Sequence, residues 1–365
     1  MRIAIIHYWL VGMRGGERVL EQLALLFPQA DIFTHVIDRH RISAELLKHN
    51  IQCTGISRLP FAKTQYKKYL MFMPRALEEL DLSGYDLVVS SESGPAKGVI
   101  PPPNAKHITY CHSPMRYIWD HYHLYKKELP WAARSLFGSV AHRMRQWDVT
   151  SASRVDTFVA NSRFVAQRIQ RYYGRTSEVL NPPVNLKRYV PCGDPTRNYY
   201  LLLSELVPYK RADIAIDAFR DLDRQLIVAG GGSELARLRS TAPSNVKFVG
   251  RLLDEEMQQL YANCRALLFP GEEDFGIVPL EAMACGRPVL AFGRGGALES
   301  VVQGKTGLFF FDQTAGALKQ TIRDFEAQES TFDGRAIRAH AETFSEERFR
   351  DRFKAVVDRT MDGGV

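Results

Sequence analysis

The sequence predicts an α/β protein of two domains, each built on a parallel sheet covered by helices. Three observations lead there. The chain has 365 residues, more than one hydrophobic core comfortably organises, so two domains are the natural division. Short apolar segments alternate with helical patterns along most of its length, the signature of parallel sheets flanked by helices. Residues 181–198, NPPVNLKRYVPCGDPTRN, are rich in proline and asparagine and lack periodicity, which marks a linker between halves of similar size. The expected domains are therefore 1–180 and 199–344, with a C-terminal helix at about 345–365 free to return to the first domain.

In the first half, strands are expected at RIAIIHY, DIFTHV, YDLVVSS, KHITYC and DTFVAN. In the second half they are expected at YYLLLS, QLIVAG, NVKFVG, RALLFP and PVLAF. The N-terminal stretch MRIAIIHYWLVGMRGGE reads as the first buried strand and not as a secretion signal. Its apolar part is short, it lacks a small-residue cleavage site, and it carries His7 and Tyr8. No apolar run approaches the roughly 18 residues needed to span a bilayer. The tail SEERFRDRFKAVVDRT has a helical pattern with Ser345 as its N-cap. Two sheets of this kind place their chemistry beyond the carboxyl ends of the strands, so a cleft between the domains is the expected site.

Composition narrows the partners. Hydrophobic content of 45% and charged content of 24% are ordinary for a globular protein. The five cysteines, Cys53, Cys111, Cys192, Cys264 and Cys285, are scattered, have no zinc spacing, and suit reduced thiols in a cytosolic chain. A net charge of +7 favours anionic partners, whether nucleotide phosphates, nucleic acid or an anionic membrane surface.

The most informative stretch is GEEDFGIVPLEAMACGRP, residues 271–288. A strand should end near Phe269-Pro270 and a helix start near Ile277, with Pro279 tolerated in its first turn and Gly286 and Pro288 closing it. Glu273 then lies in the loop before the helix and Glu281 about one turn inside. A helix N-terminus attracts phosphate, and carboxylates beside it accept hydrogen bonds from hydroxyls. A phosphate flanked by two polyols describes a nucleotide sugar. Two isolated glutamates would read as solvated acids; the whole stretch favours the site.

Five further elements carry candidates. In SELVPYKRAD, Lys210 and Arg211 follow a strand and open a helix, where cations hold a diphosphate or simply meet solvent. In VGMRGGERVLE, Gly12, Gly15 and Gly16 follow the first strand without forming G-x-G-x-x-G; they allow close backbone approach to a ligand, or make a plain turn. In YCHSPMRYIWD, His112 stands at a strand's carboxyl edge, where structural and catalytic roles are both open; Arg116, Tyr117 and Trp119 form either an acceptor platform or a helix packing face. FVGRLLDEE places Gly250 and Arg251 at a strand end, and GRGGALESVV places Gly295 and Gly296 before a helix carrying Glu299.

EDFGIVPLE matches the E-x7-E element of retaining glycosyltransferases of family 4, and GMRGGERVLE, YCHSPMRYIWD, LVPYKRAD, FVGRLLDEE and GRGGALESVV agree with that family across nearly the whole chain. The sequence resembles the bacterial mannosyltransferase-like branch that builds O-antigen or exopolysaccharide. The resemblance implies the GT-B fold, two Rossmann-like domains facing across a cleft. It implies transfer of a hexose, mannose from GDP-mannose, to a polyprenyl-linked glycan acceptor, with no metal, no cofactor and no assigned protein nucleophile. Glu273, His112 and Lys210 would form the catalytic set, Glu273 on the donor sugar's hydroxyls, His112 near its O6 or the reacting centre, and Lys210 on the diphosphate. Gly15, Gly16, Arg211, Gly250, Arg251, Phe275, Gly276, Ile277 and Glu281 would bind the donor, Glu281 through the ribose. Where the family commonly has an arginine five positions before the lysine, this chain has Glu205, and Arg211 is the substitute on offer. A GT-B sugar-nucleotide epimerase, a transferase using GDP-rhamnose or a UDP-sugar, and a catalytically degenerate binding relative are the alternatives.

Residues 46–77 contain no Asp or Glu. Within them, RLPFAKTQYKKYLMFMPRAL at 58–77 mixes Arg58, Lys63, Lys67, Lys68 and Arg75 with Phe61, Tyr66, Tyr69 and Phe72. Such a segment lies on an anionic membrane surface, or forms a helix whose aromatics pack into the first domain. No recognised nucleic-acid motif is present. The resulting expectation is a cytoplasmic protein, peripheral on the inner face of the membrane.

Overall fold

The computed structural model describes residues 1–193 and 198–363. It divides into two compact units, Met1–Asn181 joined by Phe349–Val365, and Pro182–Arg348. The first contains seven strands: β1 (Ile3–His7), β2 (Asp31–Thr34), β3 (Ile51–Cys53), β4 (Leu87–Glu92), β5 (Lys106–Cys111), β6 (Thr157–Ala160) and β7 (Glu178–Val179), in spatial order β3-β2-β1-β4-β5-β6-β7. The second contains β8 (Tyr199–Leu203), β9 (Gln225–Ala229), β10 (Val246–Gly250), β11 (Leu267–Phe269), β12 (Val289–Phe292) and β13 (Gly307–Phe310), in order β10-β9-β8-β11-β12-β13. Every pairing between these strands is parallel.

The central strands form because their runs are apolar without alternation, as burial on both faces requires. IAIIH of β1 is buried at every residue. In each unit the strand order reverses once, between β1 and β4 and between β8 and β11. These are topological switch points, where loops leaving adjacent carboxyl ends diverge and open a crevice. The helix Glu346–Met361 belongs to the first unit because its stripe Phe349, Phe353, Val356 and Val357 enters that unit's core. Ser345 Oγ accepts from the backbone N–H of Arg348 at 3.3 Å at its start.

Three strands have no counterpart in the sequence expectation, β3, β7 and β13, and each lies at a sheet edge. β3 and β7 are only three and two residues long. β13 opens on Gly307, which reads as a turn. The expected linker is only partly a tether. Val184 and Tyr189 are buried in the core of the second unit, while residues 194–197 lie outside the described residues. The segment 58–77 is also not one continuous helix. Phe61 takes a left-handed conformation at φ 53°, and the chain proceeds in short pieces, Ala62–Gln65, Tyr66–Phe72 and Met73–Glu78. Among the described residues, no helix is long and apolar enough to cross a membrane.

Candidate active site

The switch point of the second unit gathers the charged candidates. Strands β8 and β11 are neighbours, with Leu201 paired to Leu267. The chain leaving β8 makes a 3-10 turn at Pro208–Lys210, and the chain leaving β11 carries Glu273. Lys210 Nζ and Glu273 Oε1 meet there as an ion pair, with the two side chains 16% and 19% exposed. Burial works against the Lys210 charge, but Glu273, Tyr209 and Glu205 outweigh it and raise the ammonium's affinity for its proton. The departure at Glu205 thus adds negative charge beside the lysine. Arg211 is occupied locally: its guanidinium bonds Asp213 at 3.0 Å and Gln313 at 3.3 Å, and Gln313 reaches back to the carbonyl of Pro270 at 2.9 Å. Arg211 also holds φ 54°, ψ 39°, a left-handed conformation unusual for a residue with a side chain.

Beyond Glu273 the chain enters the helix Ile277–Ala284 through Gly276 at φ 83°. The opening N–H groups of this helix lack helical acceptors, and its dipole is positive at that end. Glu281, in the second turn, accepts a hydrogen bond from the hydroxyl of Tyr261 at 2.6 Å. Tyr189 bonds the same carboxylate and meets Tyr261 edge-on, with ring centroids 5.5 Å apart. Burial, reinforced by Glu281, pushes the Tyr261 hydroxyl well above its ordinary range, so it stays a donor. The two tyrosines hold the Glu281 carboxylate without charge and come from residues the motifs do not contain.

Gly296 fixes the shape of the Glu273 loop. A Cβ there would lie 2.1 Å from the Phe275 Cα, and its N–H donates to the Glu273 carbonyl at 2.9 Å. The Phe275 ring is buried in the core near Phe344, with centroids 6.1 Å apart, so Phe275 itself can offer a ligand only its backbone. Gly250 ends β10 at φ 76°, its carbonyl accepting from Gly230, and Arg251 follows with its side chain lying along Gly231.

In the first unit, the switch point brings His7 at the end of β1 beside Ser91 of β4, with which it is in register. His112 follows β5, and its Nε2 lies 2.9 Å from Ser91 Oγ. Burial and the neighbouring His7 push His112 down to about 3, so its ring is neutral over the ordinary pH range. Gly15 and Gly16 do not make a loop; they open the helix Gly15–Leu26. Of the three acceptor candidates, Arg116 bonds Asp120 at 3.2 Å and His121 at 2.6 Å. Tyr117 and Trp119 pack against the cluster of Met115, Ile118, Ala141 and Met144. Trp119 also stacks on Tyr172 at 4.5 Å and donates to Asp148 at 2.7 Å. The packing alternative therefore describes Trp119, although the element is a turn and not a helix.

The 58–77 segment divides its aromatics. Tyr66, Tyr69 and Leu70 pack against Val36, Ile56 and Met73, whereas Phe61 is 75% exposed and Met71 and Phe72 face solvent. Among the described residues, no group of three His, Cys, Asp or Glu side chains is placed to hold a metal.

An ammonium and a helix N-terminus favour a diphosphate, and two carboxylates nearby favour hydroxyls. The comparisons with known proteins agree with this chemistry. The sequence profile of Glycosyltransferase Family 4 matches residues 13–188, and that of the group 1 glycosyl transferases matches residues 193–342. A GDP-mannose-dependent monoacylated α-(1-6)-phosphatidylinositol monomannoside mannosyltransferase of Corynebacterium glutamicum is 30% identical over 223 residues, 52% of this chain and 58% of the relative. The GDP-mannose-dependent α-(1-6)-phosphatidylinositol monomannoside mannosyltransferase of Mycolicibacterium smegmatis is 32% identical over 204 residues, 47% of this chain and 53% of the relative. The match thus spans about half the length of these relatives. Among solved structures, HepE of Anabaena in complex with UDP-glucose superposes with a TM-score of 0.70 at 19% identity, covering 98% of this chain and 99% of that one. The fold is GT-B, two Rossmann-like α/β units, and the chain belongs to glycosyltransferase family 4.

Proposed function

We propose that this chain is a retaining glycosyltransferase that moves a hexose, mannose from GDP-mannose, onto a lipid-linked oligosaccharide during cell-surface polysaccharide synthesis. The observation that carries this reading is the meeting of Lys210 and Glu273 at a topological switch point, beside the free N-terminus of Ile277–Ala284. In this reading the second unit binds the nucleotide sugar and the first binds the acceptor. Lys210 and the helix N-terminus take the diphosphate and stabilise its charge as the glycosidic bond breaks through an oxocarbenium-like state. That positive charge serves where other transferases use a cation, and no cofactor is called for. Glu273 orients the sugar hydroxyls, and Glu281, steadied by Tyr261 and Tyr189, takes the ribose. His112, by the same family resemblance, takes a sugar hydroxyl near O6 or the reacting centre.

The two mannosyltransferase relatives support the donor. The exposed Phe61, Met71 and Phe72 among Arg58, Lys63, Lys67 and Lys68 support docking of 58–77 on an anionic membrane at the cytoplasmic face, where a polyprenyl-linked acceptor resides. A second reading, a UDP-hexose donor, is favoured by the UDP-glucose held by HepE. A thermal-shift panel of nucleotide sugars separates the two, since the true donor raises the melting temperature. Lys210→Ala and Glu273→Ala, assayed with that donor and membrane extracts, test the site. Unchanged turnover in both variants would remove it.

A further inference from the structure

We propose that Glu17, His7 and Ser91 form a buried relay that holds His112 with its proton on Nε2, leaving the Nδ1 lone pair to accept a hydrogen bond from a donor-sugar hydroxyl. The functional half of this proposal rests on the reading that His112 faces the sugar; the relay itself does not.

The relay sits at the switch point of the first unit. His7 Nδ1 lies 3.2 Å from Ser91 Oγ, and Ser91 Oγ lies 2.9 Å from His112 Nε2. Both links join side chains at the carboxyl ends of adjacent strands, and His7, Ser91 and Glu17 are all buried. On the far side of His7, Nε2 has no hydrogen-bond partner among the described residues and faces Glu17 Oε1 at 3.9 Å. The other Glu17 oxygen accepts from the Arg14 backbone N–H at 3.0 Å, which anchors the carboxylate at the start of the helix Gly15–Leu26.

The proton positions follow from counting donors. A serine hydroxyl has one hydrogen and can accept as well. Two ring nitrogens converge on Ser91, so the bonds are both satisfied when one ring donates to the oxygen and the other accepts its hydrogen. Glu17 decides which. A lone pair on His7 Nε2 would face a carboxylate across a low-dielectric gap, whereas an N–H there is attracted to it. His7 with its hydrogen on Nε2 accepts from Ser91 through Nδ1. Ser91 then accepts from His112 Nε2–H, and Nδ1 of His112 is the open acceptor.

Packing fixes the ring as well as the proton. Tyr110 meets the His112 ring edge-on at 5.0 Å, and Tyr8 lies over His7 at 4.0 Å. Gly16 permits this arrangement, since a Cβ there would fall 2.3 Å from the Tyr8 hydroxyl oxygen and 3.7 Å from His112 Nε2. The glycine that resembles a ligand-approach residue thus makes room for the Tyr8 hydroxyl, whose ring packs on His7.

The test is long-range proton–nitrogen NMR of the full chain, with the His112 signals assigned by comparison with His112→Gln. The expected result is protonation of His112 at Nε2, replaced by a tautomer mixture in Ser91→Ala and in His7→Leu. His7→Asn, whose side-chain amide stands near the position of Nδ1, restores the single tautomer. Turnover of the nucleotide sugar in Ser91→Ala falls about 100-fold with little change in KM, at the low end of the range for a misplaced proton-transfer or polarising group. A proton on Nδ1 of His112 in the unaltered protein, as a doubly protonated His7 would impose, overturns the relay. So does an identical tautomer in all variants. A tautomer lost in Ser91→Ala with turnover unchanged overturns the reading of His112 as sugar-facing while leaving the relay intact.

Discussion

Lys210 and Glu273 form an ion pair that joins the loops leaving β8 and β11, so Glu273 neutralises the cation that would receive a diphosphate. A bound diphosphate must compete with a carboxylate for the same ammonium, and Glu205 adds to the competition. Glu273→Gln keeps the side-chain shape and releases Lys210. The expected outcome is a nucleoside-diphosphate product bound about three- to tenfold more tightly, the scale of one ordinary net hydrogen bond, while turnover falls because the sugar loses its carboxylate. Lys210→Ala should lower kcat by about 100- to 1000-fold, the range for loss of one transition-state charge partner. Calorimetry with the diphosphate alone separates the effects; equal affinity in native and Glu273→Gln protein would show that the pair presents no obstacle.

The Tyr261 hydroxyl donates to Glu281 at 2.6 Å from the buried side of the carboxylate. Tyr261→Phe keeps the ring and deletes that donor. Glu281 then loses orientation, and the donor KM should rise about three- to tenfold with kcat nearly unchanged, since a ground-state contact is weakened. Stability should fall by about 1 kcal/mol, the ordinary worth of a single buried hydrogen bond. Steady-state kinetics at varied donor concentration, beside a urea titration, checks both; a fall in kcat at constant KM would place Glu281 in the chemical step.

Behind the His112 loop, Lys97 is fully buried between Glu92, at 3.0 Å, and Asp148. Asp148 also accepts from Trp119 at 2.7 Å and from the Tyr173 hydroxyl at 2.9 Å. Burial raises the Glu92 carboxyl above its ordinary range, with Lys97 opposing the shift. Lys97→Met leaves two carboxylates sealed in the core without a counter-ion and should cost about 3–5 kcal/mol. Adding Glu92→Gln and Asp148→Asn removes the stranded charges and should restore most of the loss. Urea denaturation of the single and triple variants tests this, and a single variant as stable as the native protein would show that the triad is already discharged.

The fold class was legible because the central strands, such as IAIIH of β1 and YYLLL of β8, are apolar runs, and ten of the thirteen strands among the described residues fall on expected segments. β3, β7 and β13 escaped because an edge strand is short and defined by its neighbour more than by its own residues. Lys210 and Glu273 were visible as charges placed just after strands. Their pairing was not, because it depends on β8 and β11 being adjacent although 63 residues separate Leu203 from Leu267 only in sequence order. Tyr261 and Tyr189 were invisible as partners of Glu281, one lying on a separate helix and the other within a stretch that reads as linker. Ser91 reads as the polar end of a strand; only its register with His7 reveals a link.

The first unit also contains a stability switch set by neutral histidines. His35 and His107 are buried, and burial lowers each to about 4. Hydrogen bonds fix both rings, His35 Nδ1 to Thr54 Oγ1 at 2.9 Å and His107 Nε2 to Ser90 Oγ at 2.9 Å. An unfolded imidazole protonates near pH 6.5, whereas these rings stay neutral in the native state until about pH 4. Between those values the unfolded chain binds more protons than the native one, so stability must fall as pH falls. The contribution is complete above pH 6.5 and is lost as pH drops through the window to about 4. Each histidine contributes a slope of about 1.4 kcal/mol per pH unit, so the pair costs about 3 kcal/mol between pH 6 and 5. His112, also lowered, acts in the same direction. Urea midpoints measured from pH 7.5 to 4.5 should trace this decline, and His35→Gln, which cannot titrate, should shallow it by about 1.4 kcal/mol per pH unit. A flat profile across that range, with proton uptake on unfolding near zero, would mean that these rings are already charged in the native protein.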